Sequence, residues 1–253
     1  MAGIAREIAL EAIAMDVGWW EFARRYLFST DHKIIGLQYM FTGMFMAVIG
    51  GLMAYVFRMQ TAFPDQAVLG YGLVTPLAYN ALVTNHGTIM IFWVAMPVLL
   101  AGFGNYLIPL MIGCDDMVFP RLNRLSYQIF FLSTVVILLS LVVPGGGFGG
   151  AWTAYPPLSA NATYNHTPYG APLWLLAVAL EFVAFLLGGI NFITTVMNAR
   201  APGMTAFHLP IFIWMTIVAV IVFMASVGPL VAGAVMLLFD QVLGTRFYDP
   251  QAG

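Results

Sequence analysis

Five long apolar runs dominate the pattern of hydrophobic and polar positions. They fall at about residues 34–57, 82–112, 125–143, 173–198 and 209–239, and none holds more than one charged side chain. A helix rises about 1.5 Å per residue and the hydrocarbon core is about 30 Å thick, so roughly 20 apolar residues suffice to cross it. The second and fifth runs are long enough to tilt or to project beyond the lipid. Turn residues lie between the runs: Pro64, then Pro120, then a Gly/Pro-rich stretch from Pro144 to Gly150 with Pro156 and Pro157, then Pro202 and Gly203. The pattern predicts an all-α integral membrane protein with five transmembrane helices. These form a single membrane domain over 29–253, behind an N-terminal segment 1–28. In that segment Ile4, Ile8, Leu10 and Ile13 stand at roughly helical spacing, which predicts a short amphipathic helix at the membrane interface. Arg6, Glu7, Glu11 and Asp16 interrupt it, so it lacks the apolar core of a secretory signal.

Composition narrows the class. Of 253 residues 61% are apolar and 8% charged, against about 25% charged in soluble domains, which excludes a water-soluble globule. Nine basic against eleven acidic groups leave no basic surface for nucleic acid. The single cysteine, Cys114, can form neither an internal disulfide nor a zinc cluster and reads as an inert buried thiol.

Orientation follows from the basic residues of the short loops. With the N-terminus inside, the inner segments hold Arg6, Arg24, Arg25, Lys33, Arg121, Arg124 and Arg200, and the outer ones only Arg58 and Arg246. The chain is therefore expected to start inside. The loop from Pro144 to Pro172 is then outside and uncharged, with two short sequons, Asn161-Ala-Thr163 and Asn165-His-Thr167, for which chance occurrence is the simpler reading.

Polar side chains within spans are costly and mark candidate function. His86 opens the second span near the outer third of the bilayer, where a neutral imidazole is either an iron ligand or a histidine bonded to a neighbouring carbonyl. His32 and His208 flank spans at the inner face and His166 lies in the outer loop, so all three read as interfacial or loop residues. Asn105, Asp115, Asp116, Asn123 and Ser126 cluster at the inner end of the second span and the loop after it. They suit either a file of water leading inward from a carboxylate, or solvated loop acids and helix-capping amides. Glu181 is read as the only carboxylate inside a span.

Six blocks then point to a family. Ser29-Thr-Asp-His-Lys33, Asn85-His-Gly-Thr-Ile-Met90, Gly104-Asn-Tyr-Leu-Ile-Pro-Leu110, Asp116-Met-Val-Phe-Pro-Arg-Leu-Asn123, Trp152-Thr-Ala-Tyr-Pro-Pro-Leu-Ser159 and Asn191-Phe-Ile-Thr-Thr195, the last followed by Arg200-Ala-Pro-Gly-Met204, resemble subunit I of haem–copper terminal oxidases in order and spacing. The tail Phe247-Tyr-Asp-Pro250 is also similar.

The resemblance implies a twelve-helix bundle of which this chain forms the first five spans. It implies that His86 is one axial ligand of the low-spin haem (haem a or related), that Arg58 stands near that haem's ring substituent, and that Trp152 and Tyr155 pack near the propionates and the oxygen site. It makes Asp116 the inner mouth of a proton channel, with Asn105, Asn123, Asn191, Ser126 and Tyr39 along it. It further implies an oxidoreductase of an energy-conserving membrane, bacterial plasma membrane or mitochondrial inner membrane. This enzyme would reduce oxygen to water and pump protons alongside subunits II and III, with cytochrome c or another electron donor.

The departures are equally specific. The family's copper ligands, its remaining haem ligands and its gating glutamate lie in later spans, so copper and the high-spin haem are expected on a partner chain that supplies the rest of subunit I, or on the remainder of a longer polypeptide. Quinol-oxidising members carry Arg, Asp, His and Gln where this chain holds Ile49, Met53, Ala78 and Ala81, which favours cytochrome c as donor. Small hydroxyl residues of the family's fourth span are replaced by Glu181, Ala184 and Phe185, and Glu181 is a candidate proton relay or a structural carboxyl. Alternatives are a quinol oxidase or nitric oxide reductase of the same superfamily and, in another class, a non-enzymatic transporter or assembly protein with an oxidase-like bundle.

Overall fold

A computed structural model describes residues 18–161 and 165–248. The amphipathic helix expected around Ile4 to Ile13, the last two residues of the first sequon and the end of the tail lie outside the described residues.

Helix α1 spans His32–Ala62. It starts where Asp31, as N-cap, accepts from the Lys33 and Ile34 amides at 2.8 and 3.2 Å, satisfying donors that helical bonding leaves free. It continues past the predicted end, where Arg58 is exposed and can reach polar surroundings; the apolar run marks depth in lipid, not the last turn. Helix α2 covers Pro76–Ile112 and begins six residues earlier than the hydropathy pattern predicts. Pro76 sits in its first turn, and Thr75 caps it by accepting from the Ala78 amide at 3.2 Å. Its middle, Ile89–Gly102, is wound in the wider π form around Pro97, which has no N–H to donate. Gly113, left-handed at φ 74°, ends it.

Helices α3 (Pro120–Val142), α4 (Gly170–Asn198) and α5 (Ile211–Leu243) complete the set. All five are long and apolar enough to cross a membrane. Because α5 runs four residues beyond the predicted end, it takes in Asp240. Asp240 sits in the last turn, so among the described residues Glu181 remains the carboxylate in the interior of a spanning helix.

Two seams hold the bundle. Along α1, glycines at 36, 43 and 50 let α2 approach: a Cβ on Gly36 would stand 2.9 Å from the Gly102 carbonyl, and one on Gly50 2.8 Å from Met90 Sδ. Along α3, Ser126, Ser133 and Ser140 recur every seven residues, all wholly buried, on the face packed most extensively against α4. Outward-facing Phe41, Phe45, Val48 and Leu52 on α1, and Ile211, Met215 and Val222 on α5, suit a surface in contact with hydrocarbon rather than water.

Candidate functional site

Polar groups gather at two opposite ends. At one end the His86 Nδ1–H donates to the Gly50 carbonyl at 2.9 Å. A carbonyl only accepts, so the hydrogen is on Nδ1 and the Nε2 lone pair is left as a ligand, held in orientation by that bond. The Phe57 ring meets the imidazole edge-on at 5.4 Å. Trp152 is 45% exposed, yet its ring covers the neighbouring position: a Cβ on Gly87 would lie 3.3 Å from its Cδ1. The loop between α3 and α4 is tied to α2 by Asn85 Nδ2 donating to the Phe148 carbonyl at 3.0 Å and the Ala151 amide donating to Thr84 Oγ1 at 3.0 Å. Arg58 is exposed one residue beyond Phe57. Tyr155, 73% exposed, is not drawn against His86. The structure thus sets Trp152 over Gly87, one residue from His86, and leaves Arg58 and Tyr155 exposed.

Asn165 of the second sequon is buried and fully bonded, accepting from the Thr167 amide and hydroxyl at 2.9 Å each and donating to the Leu158 carbonyl at 3.2 Å. In this conformation it cannot carry a glycan.

At the other end the loop 113–119 presents Asp116. Burial raises its carboxyl above the ordinary range, against the opposing pull of the Met117 amide, which donates to Oδ1 at 2.7 Å, and of nearby His32. His32 stands at the end of a span as expected, being the first residue of α1, but it is only 2% exposed, and its Nδ1–H donates to the Asn105 carbonyl at 2.8 Å. It is the residue the sequence reading missed. The sole signal was its position after an N-cap aspartate, which says nothing about the helix that covers it. Asn191 receives the Phe119 amide at 3.0 Å and donates to the Phe119 carbonyl at 3.3 Å, while Thr195 accepts from the Val118 amide at 3.1 Å. These two side chains clamp the loop carrying Asp116. Cys114 is half-buried, and burial with the Asp116 charge pushes its thiol up, away from reactivity. His166 and His208 are exposed.

Between the ends, Tyr39 donates to Ser126 at 3.0 Å and Ser126 to the Asn123 carbonyl at 2.7 Å. Five buried side-chain atoms here have no partner among the described residues: Asn105 Oδ1, Asn123 Oδ1 and Nδ2, and both oxygens of Glu181. Buried polar atoms are normally bonded, and orphans commonly mark water positions.

A cleft of about 890 Å³ opens between α1, the start of α2 and the loop between α3 and α4. Ile49, Met53, Ala78 and Ala81 all line it. No three His, Cys, Asp or Glu side chains cluster among the described residues.

The fold and these groups define an integral membrane helix bundle with a preset imidazole at one end and a polar seam leading from a carboxylate at the other. The model of the family Cytochrome C and Quinol oxidase polypeptide I matches residues 34–253, and the chain belongs to that family. It is 41% identical over 235 residues to cytochrome c oxidase subunit 1 of Thermostichus vulcanus, covering 92% of this chain and 40% of that protein. It is 37% identical over 232 residues to alternative cytochrome c oxidase subunit 1 of Bradyrhizobium diazoefficiens, covering 92% of this chain and 38% of the relative. The chain therefore spans about 40% of the length of the relatives it matches.

Proposed function

We propose that this chain is the N-terminal part of the catalytic subunit of a proton-pumping terminal oxidase in an energy-conserving membrane, its N-terminus inside and its twelve-helix bundle completed by a separate chain or by the remainder of a longer one. The observation that carries the reading is the His86 imidazole, with Nδ1 committed to Gly50 and Nε2 left with its lone pair, in a chain of the oxidase family. Such a nitrogen would serve as a ligand to the iron of low-spin haem, which would supply one-electron transfer there. The fit extends to the aromatic walls, Phe57 against the ring and Trp152 over Gly87.

This chain's own residues then have two tasks. At the His86 end, Gly50 fixes the tautomer, and Thr84 and Asn85 hold the outer loop over the site. At the other end Asp116 gathers protons, with His32 beside it. Asn105, Asn123, Ser126 and Tyr39 supply the donors and acceptors of a water-bearing path, while Asn191 and Thr195 keep the Asp116 loop against α4. Arg58 and Tyr155 belong to the site only through groups outside this chain. Subunits II and III, copper and the high-spin haem belong to the assembled enzyme. Cytochrome c is favoured over quinol because the four positions that are polar in quinol oxidases converge here on one cleft and are all apolar.

The test is His86→Ala in the assembled oxidase. The low-spin bis-histidine signal in optical and electron-paramagnetic spectra is expected to vanish; a variant that keeps it overturns the assignment. Oxidation of cytochrome c and of a quinol analogue by the wild-type complex separates the two donors.

A further inference from the structure

The carboxyl of Glu181 has no exposed surface and no bonded partner among the described residues. Its burial comes from this chain alone: Ala177, Val178, Ala184 and Phe185, three and four residues to either side on α4, are all buried. Register against α3 follows from one contact. A Cβ on Gly188 would lie 3.9 Å from Ser126 Oγ, and the two helices run antiparallel, so seven residues outward on each brings Glu181 level with Ser133, about 10.5 Å beyond the Tyr39–Ser126 bond. Ser133 and its neighbour Thr134 both donate to the Phe130 carbonyl, at 2.6 and 2.9 Å, which leaves their oxygen lone pairs to accept. A neutral carboxyl has one O–H to give and an ionised one has none, so this environment suits the protonated form.

A second feature connects this point with the Asp116 end. A partly enclosed space of about 10 Å³, lined by Tyr39, Ala101 and Asn105 at one side and by Ala184 and Phe185 at the other, is about the size of one water. It joins the level of the orphaned Asn105 Oδ1 to the turn of α4 just below Glu181. Phe185 closes it there, its ring set against Tyr39 at 6.3 Å, Phe130 at 6.4 Å and Phe223 at 6.1 Å.

We propose that Glu181, level with Ser133 on the α3–α4 seam, is a proton-carrying residue: it receives protons from water at the Asn105–Tyr39 level, past Phe185, and releases them to water on its far side. One O–H bond is broken and one formed at each transfer, and the carboxyl returns to its neutral form after each cycle. This rests on the reading of the chain as part of a proton-moving oxidase. It differs from a structural carboxyl, which would be bonded.

The experiment uses the assembled oxidase in liposomes. Asp116→Asn reports on the underlying reading and Asp115→Asn serves as its control. Asp116→Asn is expected to slow turnover about tenfold, short of the 10²–10⁴ of a group at reacting atoms because water can enter beside it. Glu181→Gln is expected to do the same with haem spectra unchanged. The double change Ala184→Ser with Phe185→Ser, added to Glu181→Gln, should restore at least half the rate by supplying a hydroxyl path. Infrared difference spectra between oxidised and reduced enzyme should contain a protonated-carboxyl band that disappears in Glu181→Gln and shifts in Ser133→Ala. If Asp116→Asn and Asp115→Asn both leave turnover intact, the underlying reading fails. If Asp116→Asn is slow while Glu181→Gln turns over normally, or if no such band exists, the relay fails. If Glu181→Gln cannot assemble, the carboxyl is structural and the proposal is overturned.

Discussion

Two carboxyls lie buried in spanning helices, and their surroundings are opposite. Asp240, in the last turn of α5, accepts from Thr245 Oγ1 at 2.6 Å, from the Phe247 amide at 2.9 Å and from the Tyr248 amide at 2.9 Å. It folds the tail back over itself and is covered by the segment it holds. Glu181, midway along α4, has no donor near either oxygen. An acid that ties down a loop uses its lone pairs on fixed donors and is spent as a proton carrier, whereas an acid left unbonded inside the bundle costs stability and is free to exchange. On the proposed reading, this difference separates a structural carboxyl from a proton-carrying one.

Removal should therefore have opposite signs at the two sites. Asp240→Ala leaves three donors without an acceptor and is expected to cost about 2–4 kcal/mol locally. The check is hydrogen exchange at the Phe247 and Tyr248 amides, which should accelerate at least tenfold; unchanged protection would erase the contrast. Glu181→Leu replaces an unbonded carboxyl by an apolar side chain and is expected to stabilise the bundle by about 1–3 kcal/mol, read as a higher midpoint of thermal unfolding in detergent while turnover falls. A loss of stability would show that Glu181 has a partner after all.

The smallest effect belongs to Asp116, which is intermediate: one oxygen is bonded to the Met117 amide and the group is only partly buried. Its raised pKa means that folding disfavours the ionised form. The cost is absent below the ordinary carboxylate range, where the group is protonated in both states, and is fully present above the folded-state pKa. Asp116→Asn should thus stabilise slightly at neutral pH, by under about 1 kcal/mol at this solvent-screened site, with the gain fading as pH falls through the carboxylate range. A gain that grows on acidification would invert the assignment.

Much of the architecture was legible in the residues. Apolar runs of span length are dictated by the solvent around them, so five crossing helices and their order could be read directly, and the six motif blocks carried the family. Helix ends were read less well, because Thr75, Arg58 and Asp240 extend helices beyond the apolar stretch that hydropathy detects. Nor could side-chain partners be read. That His32 would meet the Asn105 carbonyl and that Asn191 would bond the Phe119 backbone with both of its polar atoms depended on how α2 and the loop before α3 are set against their neighbours. Ile49, Met53, Ala78 and Ala81 were four separate replacements in the chain, and only the crossing of α1 and α2 made them one cleft. Hydrophobicity is a property of each side chain and survives in the linear sequence. A hydrogen bond, or the lack of one at Glu181, depends on what another helix sets opposite, and that is decided by the packing.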